Sequence, residues 1–414
     1  MDTIDQAFLQ ALRAALRGRA VSWEQPRSAE EWMRLLRLAS VHNVLPLVFE
    51  AIYPCPAFAS LPEALARRCK TEVLHTVARQ MAHTEQFLHL YRTLSDAGLE
   101  PAVVKGLVCR RLYAHPDSRP SSDEDLLVPP GRFRDCHDLL IRSGLRIMNP
   151  QVDLDTAFEV SYLDPATGLY LEVHKTLFEP GSDAVGDFNA MFEGAWQRTG
   201  FCTVSGVRVR TLGAHDHELY LLLHAFKHFI HSGVGIRQIC DCLLWAEDCG
   251  DRIDWDRLLG QCRTLHADAF AAAMLRIAAE HLGFDPAAAR LTPAWNNNPV
   301  DAGPLLADVL SGGVYGAADG DRLHSSTITL NAVEADKTGG HASLLQTILP
   351  SRAKLVGRYP VLRRWPVLLP AVWADRLIRY RRELHDRRSE QGASRSVHIG
   401  RQRKELLRLY KIIR

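Results

Sequence analysis

Apolar residues recur at helical spacing through the first 94 residues: Trp32, Leu35, Leu36 and Ala39, then Val44, Leu45 and Val48, then Val73, Val77, Met81, Phe87, Leu88, Tyr91 and Leu94. A 3.6-residue rhythm predicts amphipathic helices, and Asp96-Ala97-Gly98 ends the last of them. The rhythm then breaks. Ala102-Val103-Val104 is a short apolar run before Lys105-Gly106, and a short helix is expected to end near Tyr113. Asp125-Leu126-Leu127-Val128 is a second run, closed by Pro129-Pro130, with a helix from about Arg132 to Arg142 after it. Strands are expected at 157–163, 169–175, 201–204 and 207–209, the last two split by Ser205-Gly206. From His215 the helical rhythm returns, through Leu219, Leu222, Leu223 and Phe226, then 239–245 and 255–282.

This succession predicts an α+β protein, a small mixed-sheet core flanked by helical N- and C-terminal regions. Its divisions are a helical region 1–94, an α/β core 95–212, a helical region 213–290 lining a cleft, an irregular connection 291–345 and a mostly helical tail 346–414. The connection carries Asn296-Asn297-Asn298-Pro299, Gly312-Gly313 and Gly339-Gly340, with some order expected around 305–310.

Composition adds solubility and location. With 47% hydrophobic and 24% charged residues the chain belongs with globular proteins. Residues 1–20 read as an amphipathic helix, without the basic start and apolar stretch of a secretory signal. The most apolar late segment, 365–374, is interrupted by Pro366 and Pro370 and is far short of the ~20 residues of a membrane span. Nine cysteines without disulfide-framework spacing read as reduced thiols, so a cytoplasmic location is expected.

The chemistry concentrates in carboxylates. Strand side chains alternate, so Asp123 and Asp125 project to one side. Two carboxylates aimed at one point suit a hard divalent cation such as Mg²⁺. In Tyr170-Leu171-Glu172-Val173-His174, Glu172 shares a face with Tyr170 and His174 and supplies a third carboxylate. Three carboxylates can hold two metals ~3.5–4 Å apart, the clamp used for in-line phosphoryl or nucleotidyl transfer.

The ordered set of Lys105-Gly106, Arg119-Pro120 with Asp123 and Asp125, and Glu172 with His174 resembles the polymerase-β-like nucleotidyltransferase superfamily. It is most similar to the superfamily's poorly characterised bacterial branch, with the specific likeness confined to about 102–175. The resemblance implies that Asp123, Asp125 and Glu172 bind catalytic Mg²⁺ or Mn²⁺, with Glu172 helping to activate an attacking hydroxyl. It implies that Gly106 lets helix-start amides approach NTP phosphates, and that Lys105 and Arg119 neutralise triphosphate charge. The partners so implied are an NTP and an unidentified hydroxyl acceptor: a small molecule, a peptide or protein, or RNA. Two positions depart from the superfamily pattern. Leu107 stands where a Ser or Thr usually follows the glycine, and Glu124 stands where an apolar residue usually separates the aspartates. A non-catalytic scaffold keeping the fold, and a toxin-type nucleotidyltransferase acting on protein or tRNA, are the rival readings.

Other motifs exclude more than they add. His215, His217, His224, His228 and His231 invite a zinc reading, but Ala225-Phe226-Lys227 lacks the glutamate of a protease helix, and Cys240, Cys242 and Cys249 make no paired Cys-x-x-Cys. Cleft or structural roles fit those histidines better, and Lys227, Arg237 and Asp241 are candidates for the cleft border. There is no Walker loop, dinucleotide fingerprint or nucleophile elbow. The net charge of +2 is a cancellation: residues 351–414 hold 18 Lys and Arg against 5 Asp and Glu, a net of +13, which leaves the first 350 at −11. A basic tail of this kind is expected to dock on the acidic body or on an anionic partner such as RNA or a membrane surface.

Overall fold

The computed structural model describes residues 1–181, 186–231, 233–313, 329, 333, 352–355, 359, 361–375 and 391–413, with backbone only at 353, 354, 363 and 391–398. The chain divides into two compact units. The larger holds Met1–Ser182, Gly186–Phe226 and Val234–Val314; the smaller holds Asp183–Val185, Lys227–Gly233 and Tyr315–Arg414.

The larger unit begins with α1 (Thr3–Leu16), α2 (Ala29–Val41), α3 (Leu45–Ile52) and the long α4 (Glu63–Asp96). Capping boxes start the first two: the Asp2 carboxylate accepts the Ile4 and Asp5 amides, and the Ser28 hydroxyl accepts the Glu31 amide. Their apolar faces bury Phe8, Leu12, Trp32 and Leu35 completely. Near its C-terminal end α4 is pinned by Tyr91, whose hydroxyl donates to the Pro101 carbonyl at 3.0 Å and accepts the Arg210 amide at 2.9 Å.

The sheet is mixed, as expected of an α+β core. β1 (Ala102–Val104), β2 (Glu124–Leu127), β3 (Arg146–Ile147), β4 (Glu159–Leu163) and β5 (Tyr170–His174) lie in the order β1-β2-β5-β4-β3. Only the β2–β5 pair is parallel. β3 has no counterpart among the expected strands, because two residues are too few to show an alternation. Two helices serve this sheet: α5 (Gly106–Arg110), which leaves the end of β1, and α6 (Phe133–Arg142), which follows β2.

β6 (Gly200–Val204) and β7 (Val207–Thr211) form a separate hairpin. Ser205 and Gly206 turn it with φ of +47° and +78°, the backbone a two-residue hairpin demands. Thr211 at its end donates to the Val103 carbonyl at 2.7 Å, which fastens the hairpin to β1.

Helices α7 (Ala214–His231), α8 (Ile236–Cys249), α9 (Trp255–Thr264), α10 (Asp268–His281), α11 (Pro293–Asn296) and α12 (Gly303–Gly312) follow. α12 extends the order expected at 305–310, Pro304 standing near its start, where the missing N–H costs nothing. The rest of the expected connection, beyond Gly313, lies outside the described residues except for Thr329 and Val333.

Within the smaller unit Leu355, Leu362 and Val372 form a buried apolar cluster with Tyr359, Leu369 and Trp373 against it. A last helix spans Gln391–Leu409. Its Arg403 is buried and donates to the Phe229 and His231 carbonyls, so this cation of the basic tail is used inside its own unit.

Candidate active site

The cross-strand registers place the acidic side chains together. Val104 of β1 stands opposite Asp125 of β2, Asp125 beside Glu172 of β5, and Glu172 opposite Ser161 of β4. Two residues on, His174 pairs with Glu159. Because alternate residues share a face, Asp125, Glu172, His174 and Glu159 all project to one side of the sheet, with Asp123 at the mouth of β2.

Asp125 lies at the centre. Its side chain is 1% exposed, with Oδ1 3.1 Å from His174 Nε2 and Oδ2 3.0 Å from Lys105 Nζ. Lys105 Nζ is also 3.5 Å from Asp123 Oδ2 and 3.3 Å from His224 Nε2. Burial alone would raise the Asp123 carboxyl, but Lys105, the Ser122 hydroxyl and Arg237 outweigh it and hold it down to about 2. The opposite balance rules Glu172: burial, then the charges of Asp125 and Glu159, push it up to about 8 against the pull of Lys105. His174 stands between them, Nε2 4.0 Å from Glu172 Oε2 and Nδ1 3.7 Å from Glu159 Oε2.

A divalent cation suits this donor set. One ligand atom each from Asp125, Glu172 and His174 lies within 4.8 Å of the others. Asp125 Oδ2 is buried and meets the Lys105 ammonium, and His174 Nδ1 is buried with no hydrogen bond. Among the described residues this is the one such group of three or more His, Cys, Asp and Glu side chains; the histidines of α7 and the cysteines of α8 form none. Asp123 stands outside that trio and reaches it through Lys105.

The turn before α5 is shaped from beneath. Lys105 and Gly106 have φ of +48° and +34°. A Cβ on Gly106 would overlap Glu124 Oε2, and with a positive φ as well the position favours glycine. Glu124, which alternation points away from Asp125 and into the core, accepts the Leu107 amide at 2.8 Å and pairs with the Arg110 guanidinium. Arg110 in turn donates to Thr84 of α4 at 2.6 Å. The departure at Glu124 is thus a buried, neutralised ion pair that occupies the second amide of α5, that of Leu107. From above, His217 of α7 accepts the Lys105 amide at 3.0 Å. Burial, helped by Arg111, pushes His217 down to about 3, so its ring is neutral and Nε2 is bare to accept.

Lys105, Gly106, Asp123, Asp125 and Glu172, all singled out from the sequence, are therefore brought to one place. Arg119 is buried and committed to Asp241, Nε to Oδ1 at 3.0 Å and Nη2 to Oδ2 at 2.5 Å, with the Tyr113 hydroxyl on Oδ1 at 2.8 Å. Arg237 donates to the Pro120 carbonyl at 2.5 Å, steadying the approach to Asp123. Sequence reasoning passed over Glu159 and Arg110, and gave His217 a cleft or structural role without its partner. Alternation along β4 could have found Glu159, and the seven-residue interval from His217 to His224 could have put both on one helix face.

A family model described as an uncharacterised nucleotidyltransferase matches residues 28–283, more than half of the chain. No curated protein and no solved structure matches it.

Proposed function

The chain belongs to this uncharacterised nucleotidyltransferase family, and from that premise we propose that it moves a nucleoside monophosphate from an NTP to an acceptor hydroxyl, dependent on Mg²⁺ or Mn²⁺. The observation that carries the reading is the alignment of Asp125 with Glu172 across the parallel β2–β5 pair, with Asp123 and Lys105 beside them. In the reaction the acceptor oxygen bonds to the α-phosphorus, the bond to pyrophosphate breaks, and the hydroxyl proton leaves.

Asp125, Glu172 and His174 would hold the divalent ion, which supplies charge stabilisation for the transferring phosphoryl group when bound. Each residue of the chain then has a task. Asp125, held by Lys105 at Oδ2, turns Oδ1 to the side of Glu172 and His174, where the ion would sit. Glu172, beside Asp125 across the parallel pair, would help to activate the acceptor hydroxyl. The Lys105 ammonium beside the two aspartates is where an anionic substrate would meet positive charge. The nine cysteines are all free, which supports a reducing, cytoplasmic setting; among the described residues no helix is long and apolar enough to cross a membrane.

A scaffold reading draws on one observation: the Leu107 amide, which a phosphate would otherwise meet, is taken by Glu124. One experiment separates the two. The chain is incubated with each NTP labelled at the α-phosphate, Mg²⁺ and a cell lysate, beside Asp125→Asn. The enzyme reading expects label on an acceptor and a loss of at least about 10²-fold in the variant, the scale of removing a group that stabilises transition-state charge. Equal labelling by both proteins, or no metal-dependent NTP binding by calorimetry, would overturn it.

A further inference from the structure

Lys105 is a non-glycine residue in a strained conformation, and strain of this kind persists only where surrounding structure over-determines it. Three contacts do so. The His217 ring takes the Lys105 amide, Glu124 takes the next-but-one amide, at Leu107, and the Glu124 carboxylate lies close under Gly106. The result is an ammonium on a 16% exposed side chain, 3.0 Å from Asp125 Oδ2 and 3.5 Å from Asp123 Oδ2. It thus bridges the two aspartates that a second metal ion would bridge.

We propose that Lys105 is a resident cation of this centre, taking the place of one of two divalent ions, so that the carboxylates bind a single ion on the side of Asp125 facing Glu172 and His174. The proposal rests on the metal-centre reading above and refines it.

Asp125 divides its oxygens accordingly, Oδ1 towards His174 and Oδ2 towards Lys105. The charges agree: Asp123, Asp125 and Glu172 with one ammonium leave two negative charges, which one divalent ion neutralises. Glu159, as exposed as Asp123 and Glu172, adds a further negative charge beyond His174, and Arg237 beside Asp123 offsets it. A second divalent ion between Asp123 and Asp125 would lie in contact with the ammonium, where like charges repel strongly in a buried setting. His224 Nε2, 3.3 Å from the lysine nitrogen, is a further polar contact of the ammonium.

The test counts Mn²⁺ by electron paramagnetic resonance during titration of the whole chain, without nucleotide. The wild type and Lys105→Arg are expected to bind one Mn²⁺ per chain with an isolated-ion spectrum. Lys105→Met is expected to bind two, with the broadened spectrum of a coupled pair. Two ions on the wild type would overturn the proposal and leave the metal-centre reading standing. One ion on a Lys105→Met protein that melts like wild type would also overturn it. No Mn²⁺ on any variant would remove both readings together. Should Lys105→Met fail to fold, the wild type and Lys105→Arg decide: one ion on each supports the proposal, and two on either defeats it.

Discussion

Glu124→Leu tests the foundation of the site. Glu124 is 4% exposed and its partner Arg110 1% exposed, so the substitution strands a buried guanidinium with Thr84 as its remaining side-chain partner. Breaking a buried ion pair from one side costs about 3–5 kcal/mol, and the Leu107 amide loses its acceptor in the same step, about 1–3 kcal/mol. These overlap, so a net loss of about 4 kcal/mol is expected, a large share of the ~5–15 kcal/mol that holds a domain together. Urea unfolding followed by the fluorescence of the buried Trp32 and Trp245 measures it. With a slope near ~3 kcal/mol/M the midpoint should fall by roughly 1.3 M. The double change Arg110→Met/Glu124→Leu should recover more than half, because an apolar pair removes the stranded charge while the Leu107 amide stays orphaned. A midpoint shift under about 0.3 M for Glu124→Leu, or a double variant no better than the single one, would refute the argument.

Other outcomes follow from the same geometry. Glu172 ionises at about 8 in the fold against an ordinary 4.5, so between these values the folded state holds a proton that the unfolded state has lost. Metal-free melting temperatures in chelator should therefore decline as pH rises from 4.5 to 8, and Glu172→Gln should flatten that decline; an unchanged slope counts against the burial of this charge. His217 carries the opposite sign, because its folded value near 3 lies below the ordinary 6.5 and the unfolded chain binds the proton first. The contribution of His217 to stability is full above pH 6.5 and lost as pH falls towards 3, and a His217→Gln protein should show a shallower acid limb in the same melts. Gly106→Ala combines a positive φ with overlap on Glu124, so it should cost more than about 1 kcal/mol; a variant melting at the wild-type temperature would show that the turn has slack.

Much of the site was legible before any coordinates. Asp123 and Asp125 could be placed on one face because strand alternation is local, and Glu172 could be read mid-strand for the same reason. Lys105-Gly106 stood out because a lysine and a glycine after an apolar run mark a turn. Glu124 was visible as an anomaly but not as a solution, since its neutralising partner Arg110 sits on another element, 14 residues away. The family resemblance cast Arg119 as a ligand for triphosphate charge. Its nearest carboxylate in space, Asp241, is 122 residues distant in sequence. His217, 112 residues from the amide it accepts, carried no local sign of that task.

The sequence by itself determined the α+β succession of elements, the sign of charge along the chain and the identity of the carboxylates. Periodicity and side-chain chemistry are properties of neighbours. Tertiary structure decided which oxygen faces which cation. It aligned Asp125 with Glu172 through the parallel pairing of β2 with β5, buried Glu124 against Arg110, and bent the Lys105 backbone so that its ammonium bridges two aspartates. Coulomb energies fall with distance and rise with burial, and both are set only when strands distant in sequence come into register.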